Sequence, residues 1–382
     1  MRTLIHSCRI VSPDLDIPEG FLVLEDGLIA EVSPGKAPEG CFDKVIDGTK
    51  RIAAPGFIDI HFHGRSNFDF CDGTEEAFAT IGKGKLQDGV TSFLATSLSV
   101  STEDLRKFCT QAEFYRKNVR EGATLLGVHL EGPFFNPACA GAQNPAHLKN
   151  PDIALVEELH GICPVKKVSF SPELPGGVEF TEALARRGIM PSGGHTEATY
   201  EHYTRCRLAG MKHLTHFCNV MTVMHHLRFG MVGGGLLDDD VYVEMICDGV
   251  HLCDQMIQLI ARMKGPEKMM LITDAIRACA MPDGNYSLGG LPVVVKDGCA
   301  RLTTGPVAGS TLRYQNGLKR LVRLSGLELC QAVKATSLNQ AVSLGLGKRG
   351  KLEKGYIGDI VLLDSALDVT ATLCDGVVKW SL

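Results

Sequence analysis

Apolar and polar positions along the chain follow two different rhythms. Between residues 55 and 347, short apolar runs rich in β-branched residues alternate with longer, mixed segments. The runs are FIDIHFH (57–63), TSFLATS (91–97), LLGVHLEG (125–132), KVSFSPE (167–173), IMPSGGH (189–195), KHLTHFCN (212–219), VYVEMICDG (241–249) and MMLITDA (269–275). Each reads as a strand, and segments such as TEEAFATIGKGKLQDG (74–89) and TEATYEHYTRCRLAG (196–210) read as the amphipathic helices between them. Such alternation predicts an α/β fold with a parallel sheet covered on both faces. Eight units in succession predict a closed (β/α)8 TIM barrel. The rival is a doubly wound open sheet, but nothing resembling GxGxxG follows the first strand, which disfavours its nucleotide-binding form.

The two ends read differently. FLVLEDGLIAEVS (21–33) is broken at Asp26-Gly27, and ALDVTATLCDGVVKW (366–380) carries a second Asp-Gly. Asp-Gly between apolar runs signals a hairpin. With KVIDGT (44–49) and DIVLLD (359–364), these runs predict a small β-sandwich domain built from both termini. The expected division is 1–54 and 348–382 for that domain and 55–347 for a metal-dependent barrel hydrolase domain.

Composition narrows the partners. A net charge of −5 and the lack of any Lys/Arg-rich run argue against a nucleic-acid partner. No stretch approaches the ~20 apolar residues of a membrane span, and the N-terminus has no long apolar h-region. The 14 cysteines are scattered through apolar segments without a CxxC pair, as expected of reduced thiols in a cytoplasmic protein.

The polar residues of the barrel segment gather where catalytic groups belong, at the C-terminal ends of strands. Of 13 histidines, seven fall at these ends: His61, His63, His129, His195, His213, His216 and His251. Glu131, Asn219, Asp248 and Asp274 join them. Strand periodicity puts His61 and His63 on one face, the barrel interior if Asp59 also points inward. Imidazoles and carboxylates converging on one mouth suit a borderline cation such as Zn²⁺, Fe²⁺ or Mn²⁺. Taken singly, His129, His213 and His160 read as hydrogen-bonded core histidines. Asp274 taken singly reads equally as a helix N-cap.

These residues carry a resemblance. The "PGFIDIHFHG" opening (55–64) is similar to that of the amidohydrolase superfamily. "HLEGPF" (129–134), "SGGHT" (192–196), "THFCN" (215–219), "DGVH" (248–251), "TDA" (273–275) and "AGSTL" (308–312) resemble, in this order, the N-acetylglucosamine-6-phosphate deacetylase family. The resemblance implies removal of the N-acetyl group of an amino-sugar 6-phosphate in amino-sugar catabolism. The galactosamine epimer, or another N-acyl or cyclic amide, is the alternative substrate. It implies Glu131, His195 and His216 as ligands of a main metal, and His61 and His63 as ligands of a second. Zn²⁺ is the first expectation, with Fe²⁺, Mn²⁺ or Co²⁺ as others, one or two per chain. Glu131 takes the bridging place that a carbamylated lysine holds elsewhere in the superfamily. Asp274 is implied as the catalytic acid/base. His251 and the backbone of Asn219 and Val220 are implied at the sugar phosphate. Ala142, Asp248, Val307, Ala308 and Gly309 complete the expected substrate contacts. A homodimer, whose neighbouring chain reaches the phosphate, is expected from the family.

Two departures from the family pattern touch the substrate. NVMTVMHHLRFG (219–230) puts Leu227 where an arginine is usual and shifts the arginine to Arg228. Gln143 stands where a histidine is common. The segment 134–152 reads equally as a lid or an ordered crossover. Gly233-Gly234-Gly235 reads as a flexible turn, and Lys83 and Lys85 as a solvated helix face.

Overall fold

A computed structural model describes residues 1–382 and contains the barrel. Its strands are Phe57–Asp59, Val90–Thr96, Thr124–Glu131, Val165–Phe170, Met190–Gly193, His213–Leu214, Tyr242–Ile246 and Met269–Ile272. They pair in chain order, each parallel to the next. At the seam between first and last, the Tyr314 hydroxyl donates to Leu271 O at 2.9 Å, and Asp274 N donates to His61 O at 2.9 Å. A helix follows each strand, from Glu75–Leu86, capped by Thr74, to Tyr314–Ser325. Outward-facing strand residues such as Phe93, Val168, Val243 and Leu271 pack with helix residues such as Phe78, Phe108, Ile257 and Leu318 in the largest apolar cluster. Burial of that layer drives the assembly.

The barrel interior is divided. Near one end it is apolar, built on Ile58, Ile60, Leu94 and Met270. Above, it is polar and hydrogen-bonded side chain to side chain. His129 Nε2 lies 2.7 Å from Ser169 Oγ, which lies 2.6 Å from Thr215 Oγ1, itself 2.6 Å from Ser192 Oγ. Satisfied networks of this kind fix a single arrangement of the strands that carry them.

Both termini form one eight-stranded sheet. Its N-terminal strands end with Ile52–Pro55, which pairs antiparallel with Ile360–Leu363. Ile5, Ile10, Leu22, Leu24, Ile360, Leu362 and Leu373 meet in one cluster, so the sheet folds over its own core. The sheet is mixed, because Arg2–Ser12 runs parallel to Lys44–Asp47 and to Ile52–Pro55. Asp26-Gly27 and Asp375-Gly376 both adopt positive φ, as a tight hairpin turn requires.

Several expectations are corrected. The first strand ends at Asp59, before the histidines. Asp59 points toward the helix layer, where Lys85 Nζ donates to it at 2.7 Å, while Ile58 and Ile60 face inward. Lys85 is therefore buried; only Lys83 keeps to the solvated face. The sixth strand shrinks from 212–219 to His213–Leu214. The triple glycine lies within helix Gly230–Leu237, where a side chain would not fit. A Cβ at Gly234 would lie 2.7 Å from Tyr203 Cδ1, and one at Gly235 2.6 Å from Phe217 Cε2. His160 is exposed on helix Ile153–Ile162, not in the core. Between the last barrel strand and the last helix, a three-stranded antiparallel meander (284–302) had no counterpart in the sequence reading. Leu288, Val293 and Val295 pack it on Leu98 and Ile276, beside the mouth of the barrel.

Candidate active site

The strand ends deliver their side chains to one place. Glu131 closes the third strand; His195, His216 and Asp274 each follow a strand by two residues. All three of these followers have left-handed backbone, at φ 47°, 31° and 49°. That conformation is costly for residues with a side chain and is typical of functional sites. Asp274 caps no helix, so its side chain is free for the mouth.

Two groups form. Asp274 Oδ1 lies 3.2 Å from His63 Nε2 and 3.6 Å from His61 Nε2. Glu131 Oε1 lies 3.2 Å from His216 Nε2 and 3.8 Å from His195 Nε2. Glu131 also joins the groups, because its Oε1 lies 3.1 Å from His61 Nε2 and its Oε2 3.1 Å from His63 Nε2. Each group could hold an ion.

The donor set fits a divalent cation. His61 Nε2 and Glu131 Oε1 are buried without a hydrogen-bond partner. His195 Nδ1 lies 2.9 Å from Cys139 O, which accepts its proton and leaves the Nε2 lone pair for the site. The charges tell the same story. Burial favours neutral groups, yet the facing histidines hold the Glu131 carboxyl well below its usual range. Burial likewise opposes a charged His61, but Glu131, Glu244 and Asp274 raise it to about 9. These carboxylates call for positive charge at this point, and a bound cation would supply it.

Beneath the site, Glu244 of the seventh strand is fully buried between Lys167 and His61. Burial alone would raise its carboxyl; Lys167 and His61 hold it at about 2. Lys167 opens the run KVSFSPE, away from the strand end where a metal-bridging lysine would sit, and Glu244 is not among the strand-end residues. The only signal for them was a charged residue at mid-strand in an otherwise apolar run, which demands a buried partner.

His129 and His213 take no part in either group; His129 is the hydrogen-bonded core histidine expected, whereas His213 is buried with its Nδ1 unpartnered. His129 is engaged by Ser169 and Thr96, and His213 stacks on Tyr242. Burial lowers both, His213 to about 3, so both are neutral.

A cavity of about 160 Å³ opens above the carboxylates. His63, Glu131, His195, His216 and Asp274 form its floor; Ala142, Gln143, Asn219, Val220, His251, Val307 and Gly309 line its walls. Leu98, Leu288 and Pro306 were not foreseen; the last two arrive with the meander and the loop after it. The amides of Val220 and Gly309 make no hydrogen bond within the chain. Segment 134–152 contains two 3-10 turns, Pro137–Cys139 and Pro145–His147, and places Ala142 and Gln143, between them, in the wall.

Three expected substrate residues stand elsewhere. Ala308 is fully buried and its amide donates to Ala300 O at 3.0 Å. Asp248 stays behind the wall, 2.7 Å from His251 Nδ1. Arg228 lies on the exposed 222–229 loop, among residues lining a separate groove with Tyr200 and Phe229, so within one chain it does not reach the cavity. Gln143 meets the floor: its Nε2 donates to Glu131 Oε2 at 2.6 Å, and its Oε1 accepts from Ser99 N at 2.7 Å.

Comparison with known proteins agrees with this geometry. Residues 52–379 match the sequence model of the Amidohydrolase family. An N-acetylglucosamine-6-phosphate deacetylase of Lysinibacillus sphaericus is 32% identical over 93% of this chain and 92% of its own. An N-acetylgalactosamine-6-phosphate deacetylase of Escherichia coli O157:H7 is 30% identical over 97% of both. The crystal structure of N-acetylglucosamine-6-phosphate deacetylase from Thermotoga maritima superposes with a TM-score of 0.91 at 35% identity, covering 99% of this chain and 100% of that one.

Proposed function

The chain belongs to the amidohydrolase family, among its N-acetylglucosamine-6-phosphate deacetylases, and from that membership we propose that it hydrolyses the acetamide of N-acetylglucosamine 6-phosphate to glucosamine 6-phosphate and acetate. The observation that carries the reading is one cavity floored by two ion-competent groups that share Glu131 and include Asp274.

His61 and His63 would hold one ion, and Glu131, His195 and His216 another, with Glu131 between them. Zn²⁺ is the ion this donor set favours, as borderline-soft metals prefer imidazole with carboxylate. A divalent cation held there would lower the pKa of water and polarise the amide carbonyl. Asp274 takes the proton of the attacking water at Oδ1 and returns it to the departing amine nitrogen, which leaves only when protonated. His251 and the unengaged amides of Val220 and Gly309 bind the phosphate, a task suited to fixed N–H donors. Ala142 and Gln143 face the sugar. In the homodimer we propose, Arg228 would reach a phosphate from the neighbouring chain. We place the protein in the cytoplasm; its fourteen cysteines are free thiols.

The N-acetylgalactosamine 6-phosphate epimer is a second reading, favoured by the Escherichia coli relative. Acetate release from both phosphosugars and from unphosphorylated N-acetylglucosamine, with added Zn²⁺, separates these. We expect the glucosamine phosphate to be used best and the unphosphorylated sugar poorly. No release from any of them overturns the proposal.

A further inference from the structure

Two charged side chains lie inside the barrel, below the cavity, outside both ion-competent groups. Glu244 and Lys167 are fully buried and paired, on the seventh and fourth strands. A buried ion pair is weak as a stabilising device, because desolvation offsets most of its attraction. Its persistence here suggests a task beyond stability.

The contacts show one. Glu244 Oε1 takes the ammonium of Lys167. Its Oε2 faces two partners at once: His61 Nδ1 at 3.0 Å and the backbone N–H of His216 at 3.2 Å. His61 belongs to one ion-competent group and His216 to the other. The backbone of His216 is left-handed, φ 31°, and needs an outside partner to hold it there. A carboxylate that accepts from Nδ1 also fixes the tautomer, so the Nε2 lone pair of His61 faces Glu131 and Asp274.

We infer that Glu244, with its charge balanced by Lys167, is a positioning residue shared by both ion sites, orienting His61 through its ring and His216 through its backbone. The inference rests on the two-ion reading given above. Loss of the acceptor weakens the ion at the His61 site most, because that contact is to a side chain that has no other anchor at Nδ1. Partners of this kind commonly change metal affinity about 10- to 100-fold.

The test is a Zn²⁺ titration of the apoprotein against a chromogenic chelator, with thermal melting as a check of the fold. Two double variants remove both buried charges. Lys167→Met/Glu244→Met removes the acceptor; Lys167→Met/Glu244→Gln keeps a neutral one for His61. His63→Ala identifies which binding step belongs to the His61 site. We expect the Met/Met variant to weaken that step by about 10- to 100-fold and the Met/Gln variant to restore most of it at similar melting temperature. Equal affinities in the two double variants overturn the inference, since a merely structural pair would affect them alike. A wild-type protein that binds only one ion overturns the two-ion reading and this inference with it. A wild-type protein that binds two, matched by the Met/Met variant, overturns the inference alone.

Discussion

The Nε2 atoms of His195 and His216 stand 3.0 Å apart, both within 4 Å of Glu131 Oε1. The first of these rings donates its Nδ1–H to the Cys139 carbonyl, so its Nε2 faces the second as a lone pair. Two imidazoles and a carboxylate turned on one point repel or mismatch unless a proton or a cation lies between them.

Metal removal follows directly. An ion bound only by the folded chain stabilises it by RT ln(1 + [L]/Kd), about 2.7 kcal/mol at a hundredfold excess over Kd. Chelated protein should melt lower and lose activity, and added Zn²⁺ should restore both. A melting curve indifferent to chelator and to Zn²⁺ would contradict the ion-binding assignment.

Asp274 is the group assigned to both proton transfers. Asp274→Asn keeps the shape and removes the base, and should lower kcat by roughly 10²–10⁴-fold, the usual worth of general acid–base catalysis. The ion at Glu131, His195 and His216 should remain, measured by metal content after dialysis. Turnover within a few-fold of the wild type would exclude this role.

His251 predicts a pH dependence. Burial opposes its charged form, but hydrogen bonding and charge from Asp248, 2.7 Å away, outweigh this and raise it above its ordinary value. A raised histidine is charged below that pKa and loses its charge as pH rises through it. KM for the phosphosugar should therefore rise as pH climbs through that raised pKa, at a higher pH than for an ordinary histidine. Asp248→Asn should move the rise to lower pH and weaken binding at neutrality about tenfold, the worth of a charged hydrogen bond. An unchanged KM profile in that variant would remove His251 from phosphate binding.

Away from the site, Lys85 and Asp59 tie the first helix to the first strand, with Lys85 Nζ also 4.1 Å from the Phe62 ring centre. Lys85→Met leaves Asp59 buried without a counter-ion, with the Thr273 hydroxyl at 2.7 Å as its remaining close donor, and should cost about 3 kcal/mol in urea unfolding. Lys85→Met/Asp59→Asn should recover much of that loss. Additive losses in the double variant would show that the two do not interact.

The barrel was legible because its strands carry long apolar, β-branched runs, and its mouth because histidines and carboxylates recur at their ends. What stayed hidden has physical causes. A period-two pattern could not place Asp59, because the first strand stops there and the chain turns before His61. Lys85 looked solvated because a helix pattern does not reveal a carboxylate on the neighbouring strand. Glu244 and Lys167 lie 77 positions apart, and only closure of the barrel brings them together. Gly233–Gly235 resembled a turn because the need for small residues comes from Tyr203 and Phe217, not from local backbone preference. Arg228 was placed by likeness to a motif, and its exposed loop carries it away from the cavity of its own chain.

The antiparallel pairing of Ile52–Pro55 with Ile360–Leu363 sets a limit on how the protein is made. On the ribosome the early strands wait, with an unpaired edge, until more than 300 further residues have been synthesised. Such an edge is a template for stray association. A contact of this sequence separation is also slow to form, because the intervening loop must close first. The strand pairings of the barrel join sequence neighbours, so nascent chains should acquire these before the seam closes and the terminal sheet is completed.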